Sequence, residues 1–320
     1  MASRKQRNES AVFIVNPQAG GGKSDKELKQ LLAEIESIYG NAKIQFTERK
    51  MHATELARTA VQAGSELIVA VGGDGTISEV AAGFFDTKGK PLKPVKQAPA
   101  LGILPAGSGS DSARTIGIPR SSAIALQILQ TRKTKAMDVG MIDFTGNDGS
   151  QTRRMFINIA DVGIGGEVVD ILERQGKKLG AFLSYQIATV RGLIGYKNKN
   201  LEITLDKKQK FDGVYNGVIV AIGKYFGSGM KIAPDALPDD GFFDVVMLGE
   251  MSKLEMIAKM QKVRNGTHIF EKNITVHRAK HVSIKSDIKA LLDCDGEMPG
   301  ECPADFTILP GALNVVVPPA

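Results

Sequence analysis

The chain contains no tryptophan, five tyrosines, four histidines and two cysteines among 320 residues. With so few rings, and no cluster that interleaves aromatic and basic residues, base-stacking platforms are scarce and a nucleic-acid partner is not expected. Cys294 and Cys302 are too few for a disulfide framework, and too few for structural zinc without help from histidine. His277 and His281 stand four apart, but Arg278 takes the place of the glutamate of a zincin helix, and Val276, Val282 and Ile284 alternate as in a strand. A metal role for these histidines is therefore set aside. No window reaches the roughly eighteen apolar residues of a membrane helix, and Met1 to Ser10 is charged, without the apolar core of a secretion signal. The expected location is cytoplasmic.

What is present describes an ordinary globular chain, 42% hydrophobic and 24% charged. Its length suits two domains better than one core. Forty-one basic residues against 35 acidic ones leave a net charge of +6, which favours an anionic partner without choosing among a phosphate, a nucleic acid and an acidic membrane surface.

The first half alternates apolar strands with amphipathic helices, the pattern of a doubly wound parallel sheet. Strands are expected at Ala11 to Asn16, Ala42 to Phe46, Leu67 to Val71 and Ala100 to Leu104. Between them fall a helix with Leu28, Leu31, Leu32, Ile35 and Ile38 at helical spacing, opened by a Ser24 and Glu27 capping box, and helices at Thr54 to Ala63, Glu79 to Phe85 and Ser122 to Gln130. From Met137 onward short β-branched stretches dominate: Phe156 to Ile159, Leu201 to Leu205, Val214 to Ile222, Phe243 to Leu248, His281 to Ser286 and Phe306 to Leu309. These suit an antiparallel sandwich, interrupted by helices at Glu167 to Arg174, Phe182 to Ile194, and Ser252 to Val263 with its own capping box from Ser252 and Glu255. The expected division is therefore an α/β domain at 1–137 and a β-rich domain at 138–310, with Leu313 to Val317 free to pack on either.

Leu67 to Val71 feeds into Gly72-Gly73-Asp74-Gly75-Thr76, a glycine turn with one carboxylate at its tip. Glycine lets the backbone approach a ligand closely, and Thr76 with Glu79 is expected to cap the next helix, whose free N–H groups favour anions. Alone, this also reads as a tight strand-to-helix turn. Asn16-Pro17-Gln18-Ala19-Gly20-Gly21-Gly22-Lys23-Ser24 mimics the end of a Walker A loop, but Pro17 stands where its first glycine belongs. It can cradle a phosphate or serve as a flexible loop. Gly107-Ser108-Gly109 lacks the third glycine of a dinucleotide fingerprint, because Ser112 sits there. Turns at the carboxyl ends of parallel strands converge on one crevice, and that convergence favours a nucleotide reading of all three. In the second half, Asp293-Cys294-Asp295-Gly296-Glu297 gathers three carboxylates, either as a solvated turn or as a site where one takes a hydroxyl proton while another sits near Mg²⁺. Pro234 to Phe242 is another acidic loop, with oxygen donors suited to a hard cation or to a plain surface turn.

Asn16-Pro17 with its glycines, Gly72 to Thr76, Gly107 to Gly109, Lys231-Ile232-Ala233-Pro234 leading to Asp240-Gly241, and Asp295-Gly296-Glu297 occur in one order across the chain. Together they resemble the diacylglycerol kinase catalytic-domain family, which groups bacterial soluble lipid kinases with sphingosine and ceramide kinases. The resemblance implies a two-domain kinase with its active site in the cleft between an α/β and a β-rich domain. It implies ATP contacts at Asn16, Thr47, Gly72, Gly73, Asp74, Gly75, Thr76, Ile77, Ser78, Gly107 and Ser108. It makes Glu297 the general base on the lipid hydroxyl, with Asp74 near the phosphates and catalytic Mg²⁺, and Asp295 as the further catalytic carboxylate. A structural Mg²⁺ is implied at Asp240 and the carbonyls of Leu237 and Phe242. The family's third turn is usually Gly-Thr-Gly-Asn-Asp-Phe; here Ser108 keeps a hydroxyl, while Ser110 and Ser112 replace the asparagine and the phenylalanine.

The expected function is ATP-dependent phosphorylation of a membrane lipid, diacylglycerol foremost. An NAD kinase and a silent nucleotide- or lipid-binding protein are the alternatives. Expected partners are the lipid and a bilayer surface, with a homodimer allowed for. Leu179 to Lys199, with Phe182, Tyr185, Ile187, Val190, Leu193 and Ile194 among Lys177, Lys178, Arg191, Lys197 and Lys199, is compatible with an interfacial or cleft-lining helix as well as with a core helix.

Overall fold

Strands β1 (Ala11–Val15) and β3 (Leu67–Gly72) are apolar runs in which every residue is buried, as a strand covered on both faces requires. In the computed structural model, which describes residues 11–19, 25–40, 42–92, 98–107, 109–175, 188, 191–192 and 195–319, they pair in parallel with Phe13 opposite Val69. Strand β2 (Lys43–Phe46) pairs in parallel on the other side of β1, and β4 (Ala100–Pro105) in parallel on the other side of β3. Asn314 and Val315, whose domain the sequence left open, pair in parallel with Ala100 and Leu101 of β4. These residues belong to the first of two units, Met1–Met137 with Gly311–Ala320; the second is Asp138–Pro310.

Helix α1 (Asp25–Tyr39) buries Leu31, Ile35 and Tyr39 on one stripe, and the Tyr39 ring meets Phe13 of β1 edge-on at 4.9 Å. Helices α2 (His52–Gln62), α3 (Asp74–Ala82), α4 (Asp111–Ile116) and α5 (Ser122–Thr131) complete the described helices of this unit. The expected Thr76 and Glu79 capping box does not form. Helix α3 starts earlier, at Asp74 with Gly73 as its cap residue, so Thr76 lies inside it. Glu79 instead accepts the N–H of Ala53 at 3.2 Å, which caps α2, while its carbonyl accepts from the Thr54 hydroxyl at 2.8 Å. The carboxylate satisfies orphan donors on the neighbouring helix rather than on its own.

The second unit is built on antiparallel pairs. Strand β5 (from Thr134–Gly146) forms a hairpin with β6 (Gln151–Phe156). Strand β7 (Ile159–Gly163) leads into helix α6 (Ile164–Gln175); β8 (Lys199–Leu205), β9 (Gln209–Ala221) and β10 (Phe243–Gly249) follow. After helix α7 (Lys253–Asn265) come β11 (Ile274–Ala279), β12 (His281–Ser286), β13 (Leu291–Cys294) and the long β14 (Glu297–Val316), which carries the chain back into the first unit. The run Phe156 to Ile159, expected as one strand, is split at Ile157 and Asn158, and Phe306 to Leu309 is a stretch of β14 rather than a strand of its own. The Ser252 and Glu255 capping box is present at α7, with bonds of 3.3 and 2.7 Å.

The core of this unit centres on Phe156, fully buried, stacked on Phe243 at 5.8 Å and edge-on to Phe306 at 6.3 Å. Phe156 ends β6, immediately before Ile157 and Asn158, the two residues that separate it from β7. Phe156→Ala is expected to destabilise the protein by about 3–5 kcal/mol in urea titration, as deletion of a fully enclosed ring does.

Candidate active site

The nucleotide-side residues lie at the carboxyl ends of the parallel strands. The N–H of Asn16, just after β1, donates to the Val71 carbonyl at 3.0 Å, and the N–H of Thr47, just after β2, donates to Val15 at 2.9 Å. The Asn16 side-chain amide donates to the Thr76 hydroxyl at 3.0 Å, which ties the first turn to the aspartate turn. The third turn is tied in as well: the Ala106 N–H donates to the Gly72 carbonyl at 2.9 Å. A Cβ at Gly107 would stand 2.5 Å from the Cα of Gly73, so the two turns approach backbone to backbone and leave room only for glycine.

Asp74 joins the same two turns through its carboxylate. Its oxygens accept the N–H groups of Asp111 at 3.1 Å and Ser112 at 2.9 Å, the first donors of α4. It therefore serves as the cap that Ser110 does not supply, since Ser110 sits in the left-handed region and makes no side-chain cap bond. Ile77, expected among the ATP contacts, is fully buried and its N–H is taken by the Gly73 carbonyl, so it anchors the helix in the core. Gly73, Gly75 and Ser78 are partly exposed. Ser108 and the glycine loop at 20–24 lie outside the described residues.

In the second unit the Asp295-Gly296 pair is a two-residue hairpin loop between β13 and β14, with φ of 51° and 85° and Cys294 paired to Glu297. Asp-Gly is the pair such a loop favours. The reading of this stretch as a solvated turn is overturned: Asp293, Cys294 and Asp295 are all buried. Asp295 accepts from Ile157, Asn158 and Ile159 at 3.0, 3.1 and 3.0 Å, the N–H groups exposed where β6 and β7 separate. With its oxygens accepting from three backbone donors, Asp295 ties the hairpin to the chain between β6 and β7. Burial raises the Cys294 thiol well above its ordinary value, so it stays protonated.

Glu297 is the carboxylate that reaches the surface of this cluster, with 18% of its side chain exposed. Arg154, on β6, donates to one of its oxygens at 2.7 Å. The sequence reading missed Arg154; its signal is a basic residue on the inward-facing register of β6, next to buried Met155. It also missed Asp161, a lone carboxylate inside the apolar run of β7.

The Asp240 loop was expected to hold a structural Mg²⁺. One Asp240 oxygen accepts the Phe242 N–H at 3.1 Å and the other is paired with Arg278, whose guanidinium lies 4.5 Å from the centre of the Phe242 ring. Asp138 supports the loop by accepting the Gly241 N–H at 2.7 Å. Burial, together with the charges of Asp240 and Asp235, pushes Asp244 up to about 6 against the opposing pull of Arg278. Both Asp240 oxygens are thus engaged within the protein, and among the described residues no group of three or more His, Cys, Asp or Glu side chains is placed to hold a metal ion.

Most of the expected segment Leu179 to Lys199 lies outside the described residues. Lys199, counted among its flanking charges, turns inward: it is 3.5 Å from Glu167 and only 11% of its side chain is exposed.

Comparison with known proteins finds family models that match both halves of the chain. The family model of the diacylglycerol kinase catalytic domain matches residues 10–142, and that of the YegS C-terminal NAD kinase beta sandwich-like domain matches residues 158–317. The diacylglycerol kinase of Bacillus subtilis (strain 168) is 30% identical over 309 residues, 96% of each chain. That of Staphylococcus carnosus (strain TM300) is 26% identical over 311 residues, covering 96% of this chain and 95% of its own. A diacylglycerol kinase structure from Bacillus anthracis str. Sterne superposes with a TM-score of 0.69 at 23% identity, over 97% of both chains, and so shares the fold. The chain belongs to the diacylglycerol kinase catalytic-domain family, a family of lipid kinases, and is itself a kinase.

Asp74→Ala is expected to leave the N–H groups of Asp111 and Ser112 without their acceptor and to cost about 1–3 kcal/mol in urea denaturation. Asp74→Asn, which keeps one oxygen, loses less.

Proposed function

We propose that the protein transfers the γ-phosphoryl group of ATP to a primary hydroxyl of a membrane lipid, diacylglycerol being the acceptor that gives phosphatidic acid. The observation that carries this reading is Glu297: a carboxylate at the rim of a buried acidic hairpin, gripped by Arg154 and fixed from behind by Asp295, in a chain of the lipid kinase family. ATP is held by the strand-end turns of a doubly wound unit, through Asn16, Thr47, Gly72 to Thr76, Ser78, Gly107 and Ser108. The acceptor hydroxyl is held at Glu297, which takes its proton as the oxygen bonds to the γ-phosphorus and ADP departs. Phosphoryl transfer asks chiefly for such positioning and for neutralised charge. Asp74 stands at the turn nearest the phosphates, where Mg²⁺, when bound, would offset their charge; Asp240 and the carbonyls of Leu237 and Phe242 are the groups that would hold a structural ion. The reading requires the two units to present ATP and acceptor to each other.

A lipid acceptor also requires contact with a bilayer, and among the described residues no helix is long and apolar enough to cross one. We place that contact on α7 and the turn after it. No residue of α7 is buried; Leu254 is 81% exposed and Phe270 83%, with Ile257 also exposed, near Lys253 and Arg264, while Lys259 and Lys262 pair with Glu271. Apolar side chains set among lysines suit an interfacial helix on anionic lipid.

Glu297→Ala is expected to lower lipid phosphorylation by roughly 10²–10⁴-fold, the usual share of a general base, with ATP affinity by calorimetry changed little. Turnover near the parent level would remove Glu297 from the mechanism, and phosphorylation of NAD in place of lipid would favour the dinucleotide kinase. Vesicle binding is expected to rise with anionic lipid, to weaken with salt and to drop in Leu254→Ser/Phe270→Ser. Indifference to all three places the membrane contact elsewhere.

A further inference from the structure

Behind the acidic hairpin lies a second pair of carboxylates that the mechanism does not use. Asp161 of β7 and Asp293 of β13 are directly opposed in the antiparallel register, both are buried, and Asp161 Oδ2 meets no hydrogen-bond donor among the described residues. Two buried carboxylates facing each other cannot both be ionised cheaply, so one of them carries a proton.

Each acid has a backbone task besides. Asp161 lies against the backbone of Gly165 at the first turn of α6. A Cβ at Gly165 would stand 2.1 Å from an Asp161 oxygen, so the carboxyl fills the space a side chain there would need. Asp293 accepts the Gly296 N–H at 2.8 Å, inside the hairpin loop one residue before Glu297. The pair therefore brings α6, β7 and the hairpin together where the two acids face each other. The titratable and charged groups facing it among the described residues are Asp295, Cys294, Tyr196 and, near Tyr196, Glu167 with Lys199.

We propose that Asp161 and Asp293 share one proton and act as positioning residues, locking the 293–297 hairpin so that Glu297 keeps its place beside Arg154. The role assigned to Glu297 rests on the kinase reading above; the shared proton does not. Desolvation raises both acids, Asp161 to about 7. The folded pair thus binds more protons than the unfolded chain from the ordinary carboxylate range near 3.8 up through that value. The stabilisation is full at acid pH and is lost as pH rises.

Asp161→Asn supplies permanently what the protonated acid supplies: an oxygen against Gly165 and an N–H for Asp293. Asp161→Ala supplies neither. Melting temperatures of the full chain between pH 5 and pH 9 should fall with pH for the parent and less steeply for Asp161→Asn, so that the difference between them grows in favour of the variant at alkaline pH. In infrared difference spectra near neutral pH, the parent should show a protonated-carboxyl stretch that Asp161→Asn lacks. Parallel melting curves, or no such band, would overturn the shared proton. For positioning, Asp161→Ala should lose at least tenfold in kcat with ATP KM little changed, while Asp161→Asn recovers most of the turnover and carries it further into alkaline pH. Equal kcat in both variants would overturn the positioning role. If Glu297→Ala were fully active the acceptor-site reading would fail, and the melting and infrared comparisons would still decide the proton.

Discussion

The grip of the Asp295 carboxylate on the N–H groups of Ile157, Asn158 and Ile159 organises the chemistry of the second unit. These three donors span the break between β6 and the first residue of β7, and left unpaired in a buried place each would be costly. One side chain from more than a hundred residues further along the sequence satisfies all of them. In doing so it fixes the hairpin loop, and the hairpin sets where Glu297 meets Arg154. Asp293 and Asp161 extend the same linkage to the start of α6.

The first unit uses the same device twice. Asp74 closes the start of α4, and Glu79 closes the start of α2, each from another element. Carboxylates that resemble catalytic groups in a motif are here backbone acceptors that set loop positions. Glycine at 107 then allows the turns to touch backbone to backbone. Phosphoryl transfer rewards that rigidity, because geometry and charge placement supply most of its acceleration.

Much of the fold was legible from local pattern. The buried runs Ala11 to Val15 and Leu67 to Val71, the helical spacing of Leu31 and Ile35, and the Ser252 and Glu255 box each declare themselves within a few residues. What escaped depends on partners far away in the sequence. Nothing near Phe156 says that its strand ends there, because the reason is Asp295. Nothing near Glu79 says that it caps α2 rather than its own helix. Within the candidate site, motif spacing pointed to Asp74, Asp295 and Glu297, but their division of labour appeared only with their hydrogen-bond partners. Arg154 and Asp161 lay outside any motif, marked only by charge on an inward-facing strand position.

The account stands or falls on where the phosphate goes. With γ-labelled ATP, Mg²⁺ and a total lipid extract, it predicts label in the organic phase on a lipid derived from diacylglycerol. Label confined to the aqueous phase, or transferred only to an added soluble acceptor such as NAD, would contradict it.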